Sequence, residues 1–200
     1  MSDVSNKSLS STRSALLMFV FALFALLLIT GVNQITAKPI EHNERSKLIS
    51  TLNELAGPEQ NIDWQKIDLN QFPMTLCNAQ AYPVARVVHL TALGYAGDIQ
   101  LLLGLNTQQH ITGVKVLQHH ETPGIGDVIE ANKSDWLKVF VNHAYNKLEP
   151  EAWQLKQYGG QFDGITGATI TTKAVVKALT NKLIQQSQAG DKPADEQCKA

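Results

Sequence analysis

The sequence predicts an α+β protein: an N-terminal transmembrane helix followed by a small, largely antiparallel sheet flanked by helices. Three observations carry this. An uncharged apolar run stands near the N-terminus, three short β-type segments follow one another through tight turns, and helical periodicity brackets them.

The apolar run is Ala15–Val32, ALLMFVFALFALLLITGV, 18 residues without a charge. At about 1.5 Å per residue it spans roughly 27 Å, close to the thickness of a bilayer core. Its apolar residues occupy every face, whereas a buried core helix needs only one. A cleaved signal peptide would carry a shorter apolar core, and Ile35-Thr36-Ala37 is a poor small-x-small cleavage site. The run therefore reads as a retained anchor over residues 15–33. Residues 1–14, with Lys7 and Arg13, are placed in the cytoplasm, and the rest of the chain outside it.

Beyond the anchor, Glu41–Leu55 reads as a helix with Leu48, Leu52 and Leu55 on one face, ended by Gly57-Pro58. Ile62–Phe72 is polar with spaced apolar residues, and its pattern selects neither helix nor strand. Tyr82–Leu90 is β-branched and reads as a strand; Gly94–Asp98 is a turn; Ile99–Leu105 is an apolar run typical of a buried strand. Asn106–His110 is a second turn, before the alternating Ile111–Leu117. Short turns between neighbouring strands imply an antiparallel meander. Ser134–Phe140 has a helix signature with Ser134 as N-cap, and Trp136 and Trp153 are expected in the core. Thr171–Ile184 is helical, with Val175, Leu179 and Leu183 on one face. The body thus occupies residues 34–187, and the polar stretch 188–200 is expected to be a flexible tail.

Composition narrows the functions. A net charge of −1 offers no footprint for a nucleic-acid backbone. The six histidines include one adjacent pair, His119-His120, and no HExxH pattern, while Cys77 and Cys198 fit no metal-ligand spacing, so no metal site is expected. In an oxidising compartment the two cysteines are candidates for a disulfide.

The segment with most chemical content is Asp163-Gly164-Ile165-Thr166-Gly167-Ala168-Thr169-Ile170-Thr171. It is a loop of small residues entering the N-terminus of the last helix. Its glycines permit tight turns and close approach of a ligand, and the helix end offers unpaired N–H groups to a phosphate. A threonine-capped helix after a glycine turn is the other reading, and the loop alone does not decide between them.

Two motifs together do decide. Thr166-Gly167-Ala168-Thr169-Ile170-Thr171 resembles the [ST]-G-A-T-x-[ST] flavinylation motif of the FMN-binding subunits of Rnf complexes and Na⁺-translocating NADH:quinone reductases, including the preceding Asp163-Gly164. Glu121-Thr122-Pro123-Gly124-Ile125-Gly126 resembles the second family motif, E-T-P-G-[LI]-G, with Ile125 where leucine is usual. The segments Gly94–Ile99 and Ile111–Val116 follow the family's strand pattern ahead of that loop, so the likeness covers nearly the whole chain. The short length is most similar to the G subunit of Rnf (also called Rsx) complexes; the C subunit of the quinone reductase is longer.

This resemblance implies that residues 34–187 form an FMN-binding domain, with FMN joined covalently by a phosphoester to Thr169. Thr166, Gly167, Ala168 and Asp163 would belong to the same cofactor site, and Glu121, Thr122, Gly124 and Gly126 would lie against the flavin or its phosphate. A flavin transferase using FAD and Mg²⁺ would make the link, because a threonine hydroxyl is a weak nucleophile unaided. The implied partners are the other subunits of a redox-driven, ion-translocating membrane complex, the transferase and membrane lipid, with no nucleic acid. The implied location is the bacterial inner membrane, single-pass, with the main domain on the periplasmic side. Such a subunit passes electrons and is not expected to be catalytic alone. The alternative is an anchored structural or assembly subunit without flavin; a freestanding flavin reductase ranks third, for want of any acid–base or nucleophilic constellation.

Overall fold

The computed structural model describes residues 3–57, 62, 64, 69, 71–145, 149–188 and 198. Most of Ile62–Phe72, and the expected tail at 188–200 apart from Gln188 and Cys198, lie outside these. The chain divides into two compact units, Met1–Ile49 and Ser50–Ala200.

The first unit consists of helix α1 (Asp3–Ala56), whose last turns belong to the second unit. Within it Arg13–Gln34 is long and apolar enough to cross a membrane, with a mean hydropathy of 2.8 and none of it buried. Its large side chains stand out on every side, as the all-round apolar sequence pattern predicts. The hydroxyl of Thr30 is satisfied internally, donating to the carbonyls of Leu26 at 2.8 Å and Leu27 at 3.1 Å. Both predicted helical segments, 15–33 and Glu41–Leu55, fall inside α1.

The second unit is built on one sheet of four antiparallel strands in meander order: β1 (Met74–Cys77), β2 (Pro83–Leu93), β3 (Asp98–Asn106) and β4 (Ile111–Gln118). The three predicted strands are β2, β3 and β4. The added strand, β1, is too short and too mixed in character for its alternation to stand out, and its pairing with β2 makes it a strand.

Residues directly opposite one another in the register share a face. Leu103, paired with Val88, and the pairs Leu90–Leu101 and Ala92–Ile99 place Leu90, Ala92, Ile99, Leu101 and Leu103 in the main core, together with Val114 and Ile111 of β4. Against this face lies α2 (Thr169–Gln188), which buries Val175, Val176, Leu179 and Leu183 and exposes Lys173 and Lys177. The opposite face carries Gly104 paired with Gly113, and Leu55 from the end of α1 sits on that flat patch. Because both faces are covered, Ile99 and Leu101 to Leu105 are buried almost without alternation.

The helix predicted over Ser134–Phe140 is instead a single tight 3-10 turn, Trp136–Phe140. Val141 leaves it in an extended conformation, so the segment is too short for an α-helical hydrogen-bond ladder. The Ser134 hydroxyl does accept the Trp136 amide, at 3.2 Å. Trp136, Phe140, Phe162 and Trp153 form a chain of ring contacts at centroid separations of 4.7–5.3 Å. Both tryptophans are buried, as expected. Cys77, at the end of β1, is disulfide-bonded to Cys198, 121 residues on.

Candidate functional site

Three segments from different parts of the second unit meet at the N-terminus of α2. The first is the β2–β3 turn, closed by Gly94 N–H donating to the Gly97 carbonyl at 2.9 Å, which leaves Tyr95 70% exposed. The second is the loop Glu121–Gly126. The sequence Thr122-Pro123-Gly124-Ile125 forms a β-turn in which Ile125 N–H donates to the Thr122 carbonyl at 3.1 Å and Gly124 takes φ +78°. Proline at the second position and a left-handed glycine at the third are the residues a type II turn requires. The third segment is the turn Ile165–Ala168, closed by Ala168 N–H to the Ile165 carbonyl at 3.0 Å, with Gly167 at φ +86°.

From that turn α2 begins at Thr169. Thr172 N–H donates to the Ala168 carbonyl at 2.9 Å, and the buried Thr172 hydroxyl donates back to the carbonyls of Ala168 (3.1 Å) and Thr169 (3.2 Å). The amides of Thr169, Ile170 and Thr171 precede this first intrahelical bond, so they are the orphan donors of the helix end. Thr169 is half-buried, whereas Thr166 and Ile170 are exposed.

Between these segments lies a groove of about 460 Å³. Glu121, Thr122 and Gly126 line one side, Gly167, Ala168 and Thr169 the other, with Tyr95, Ile125, Ile170 and Thr171 completing it. Two motifs more than 40 residues apart in sequence are thus brought into one cleft. Gly124, Thr166 and Asp163 are not part of its lining. Asp163 is occupied nearby: its carboxylate accepts from Lys156 Nζ at 2.7 Å, and its carbonyl accepts the Trp136 indole N–H at 2.6 Å. It ties the loop before α2 to the aromatic core.

Glu121 is 5% exposed and points inward. Its Oε2 accepts the hydroxyl of Thr171, and its Oε1 accepts the Ala96 amide at 3.0 Å. Its own amide donates to His119 Nδ1 at 3.1 Å. That acceptor role places the histidine proton on Nε2, which donates to Glu130 at 3.0 Å. Lys133 donates to Glu130 at 2.8 Å and to the buried Asp127 at 2.6 Å. The hydrogen bond from Lys133 holds Asp127 below the usual aspartate range, aided by the Gly124 amide. Lys133, then His119, does the same for Glu130, and the two carboxylates raise Lys133.

The geometry suits a phosphorylated, partly apolar cofactor. The volume is within the roughly 300–1,000 Å³ common for such sites. Orphan amides at a helix N-terminus supply phosphate donors, and exposed Tyr95, Ile125 and Ile170 supply apolar surface. Tyr95, Ile125, Ile170 and Thr171 lie outside the predicted set of site residues, although the last three stand within the two motifs. The signal for Tyr95 in the sequence is an aromatic residue inside a glycine-rich turn, but only the meander places that turn beside α2.

Comparison with known proteins identifies the family. Residues 94–184 match the FMN-binding domain family and residues 1–55 match the RnfG N-terminal region. The G subunit of the ion-translocating oxidoreductase complex of Shewanella oneidensis is 38% identical over 181 residues, covering 84% of this chain and 85% of that one. Its counterpart in Shewanella baltica is 35% identical over 179 residues, covering 82% and 84%. Among solved structures, NqrC of Shewanella oneidensis is similar with a TM-score of 0.46 and 22% identity, over 58% of this chain and 60% of that one. The chain, with an FMN-binding domain behind an apolar N-terminal helix, belongs to the family of G subunits of ion-translocating oxidoreductase complexes.

Proposed function

We propose that this chain is the electron-carrying subunit of a membrane-bound, ion-translocating oxidoreductase complex of the Rnf/Rsx type, with FMN joined through its phosphate to Oγ1 of Thr169. The observation that carries the reading is the convergence of both motifs on one groove at the N-terminus of α2, with Thr169 in its wall. Bound there, the flavin supplies reversible electron transfer, while the protein supplies position and surroundings. The orphan amides of Thr169, Ile170 and Thr171 would hold the phosphate, and the apolar rim would shield one side of the ring system.

In forming the link, Thr169 Oγ1 would give up its proton and accept the FMN phosphoryl group from FAD, with AMP as the leaving group. The activating base and Mg²⁺ come from a flavin transferase, so Thr169 needs only to be reachable, and it is half-buried at the groove. Residues 15–33 anchor the chain, and residues 34–187 form the body on the periplasmic side of the bacterial inner membrane. The Cys77–Cys198 disulfide supports that side, since such bonds persist in oxidising compartments. The remaining subunits of the complex supply and accept the electrons.

The test compares wild type with Thr169→Ala, each co-expressed with a flavin transferase. Fluorescence that survives denaturing electrophoresis, with an added mass of FMN less one water, is expected in wild type and lost in the variant. A dark wild-type band beside an active transferase would leave Thr169 a helix-starting residue only.

A further inference from the structure

We propose that Glu121 is a positioning residue, whose buried carboxylate sets the spacing between the Tyr95 turn and the first turn of α2 and does not itself touch the cofactor. The inference deepens the reading of Thr169 as the attachment point and takes its functional meaning from it. Both oxygens are already committed, Oε1 to the Ala96 amide at 3.0 Å and Oε2 to the Thr171 hydroxyl. The two donors come from the two walls of the groove: Ala96 follows Tyr95, and Thr171 lies two residues beyond Thr169.

The seat is shaped for this side chain. A Cβ on Gly94 would collide with Oε1, and a Cβ on Gly126 would stand 2.7 Å from Oε2. Each oxygen thus abuts a glycine, and any larger residue at either position displaces the carboxylate. The backbone is pinned as well, through His119 to Glu130 and Lys133. A carboxylate suits the position because it offers two acceptors to donors arriving from two segments. An apolar side chain of similar size would fill the space and leave both donors unpaired.

Two measurements on the full chain in detergent test this. In flavin-free protein, amide hydrogen exchange at Ala96 is expected to quicken about tenfold or more in Glu121→Ala, equivalent to losing one hydrogen bond. Glu121→Gln keeps an acceptor for Ala96 and is expected to stay within about threefold of wild type, since the threonine hydroxyl can reverse its role. In flavin-loaded protein, the visible circular dichroism of the ring is expected to weaken in Glu121→Ala and in Thr171→Val and to persist in Glu121→Gln.

Unchanged Ala96 exchange in Glu121→Ala would overturn the proposal. So would loss of the flavin dichroism in Glu121→Gln with Ala96 protection intact, because the carboxylate would then act on the cofactor directly. If Glu121→Ala fails to fold, Thr171→Val decides, since it removes one donor and leaves the carboxylate in place; an unchanged dichroism there counts against the clamp. A wild type that takes no flavin would sink the Thr169 reading alone, and the exchange result on flavin-free chain would still decide for or against the clamp.

Discussion

Breaking the Cys77–Cys198 bond is the perturbation whose magnitude follows most directly from the fold. The bond closes a loop of 121 residues, almost the whole second unit, from the end of β1 to near the C-terminus. The loop-closure entropy it removes from the unfolded chain corresponds to about 4.9 kcal/mol at this separation, an upper figure because residual structure in the unfolded chain lowers it. For a unit of this size each kcal/mol moves the melting temperature by about 2–4 °C, so Cys77→Ser with Cys198→Ser is expected to melt roughly 10–20 °C below wild type. The assay is thermal unfolding of the detergent-solubilised chain, followed by far-ultraviolet circular dichroism, with and without reductant. Reduced wild type should match the double variant. A drop under about 3 °C would refute the reasoning, showing that the unfolded chain gains little freedom when the tether is cut. The proposed loading of flavin at Thr169 should still proceed on the double variant below its melting point, because neither cysteine lines the groove.

Three further outcomes follow from the site. Gly126→Ala places a Cβ 2.7 Å from Glu121 Oε2 and 2.8 Å from its Cβ; overpacking of this kind costs about 1–3 kcal/mol, and denaturant unfolding should show it with reduced flavin loading. Trp136→Phe removes the indole donor to the Asp163 carbonyl while keeping most of the ring, so a loss of about 1 kcal/mol is expected by the same measurement. The Asp127–Lys133–Glu130 network gives an acid limit. Both carboxylates titrate below their ordinary values of 3.8 and 4.5 in the folded chain, so their stabilisation is complete above those values and is lost as pH falls through the lowered ones. Lys133→Met should flatten the fall in melting temperature below about pH 4.5, and an unchanged acid profile would count against the network.

Much of this protein is written in local sequence. The apolar N-terminal helix needs only length and the absence of charge over Ala15–Val32, and α2 needs only the spacing of Val175, Leu179 and Leu183. Strands β2 to β4 are legible from β-branched runs and the turns between them, and Pro123-Gly124 specifies its own turn. These are short-range preferences of backbone and solvent, and they survive without knowledge of what lies across the fold. Thr166-Gly167-Ala168-Thr169 and Glu121–Gly126 could likewise be singled out as motifs, and both reach the groove.

What each motif residue touches was decided by packing alone. Glu121 reads in sequence as part of a loop lying against the flavin or its phosphate; its burial, with Thr171 50 residues away as partner and a glycine beside each oxygen, is visible only in the fold. Asp163 reads as part of the cofactor loop, but pairs with Lys156 and holds Trp136 through its carbonyl. Strand β1 exists because β2 offers it an edge, and Cys77 meets Cys198 across 121 residues. Tyr95 becomes a wall of the groove only when the meander carries its turn beside α2. Sequence periodicity determines which face of an element is apolar; the pairing of faces and of distant polar groups is fixed only when the whole core closes and every buried donor must find an acceptor.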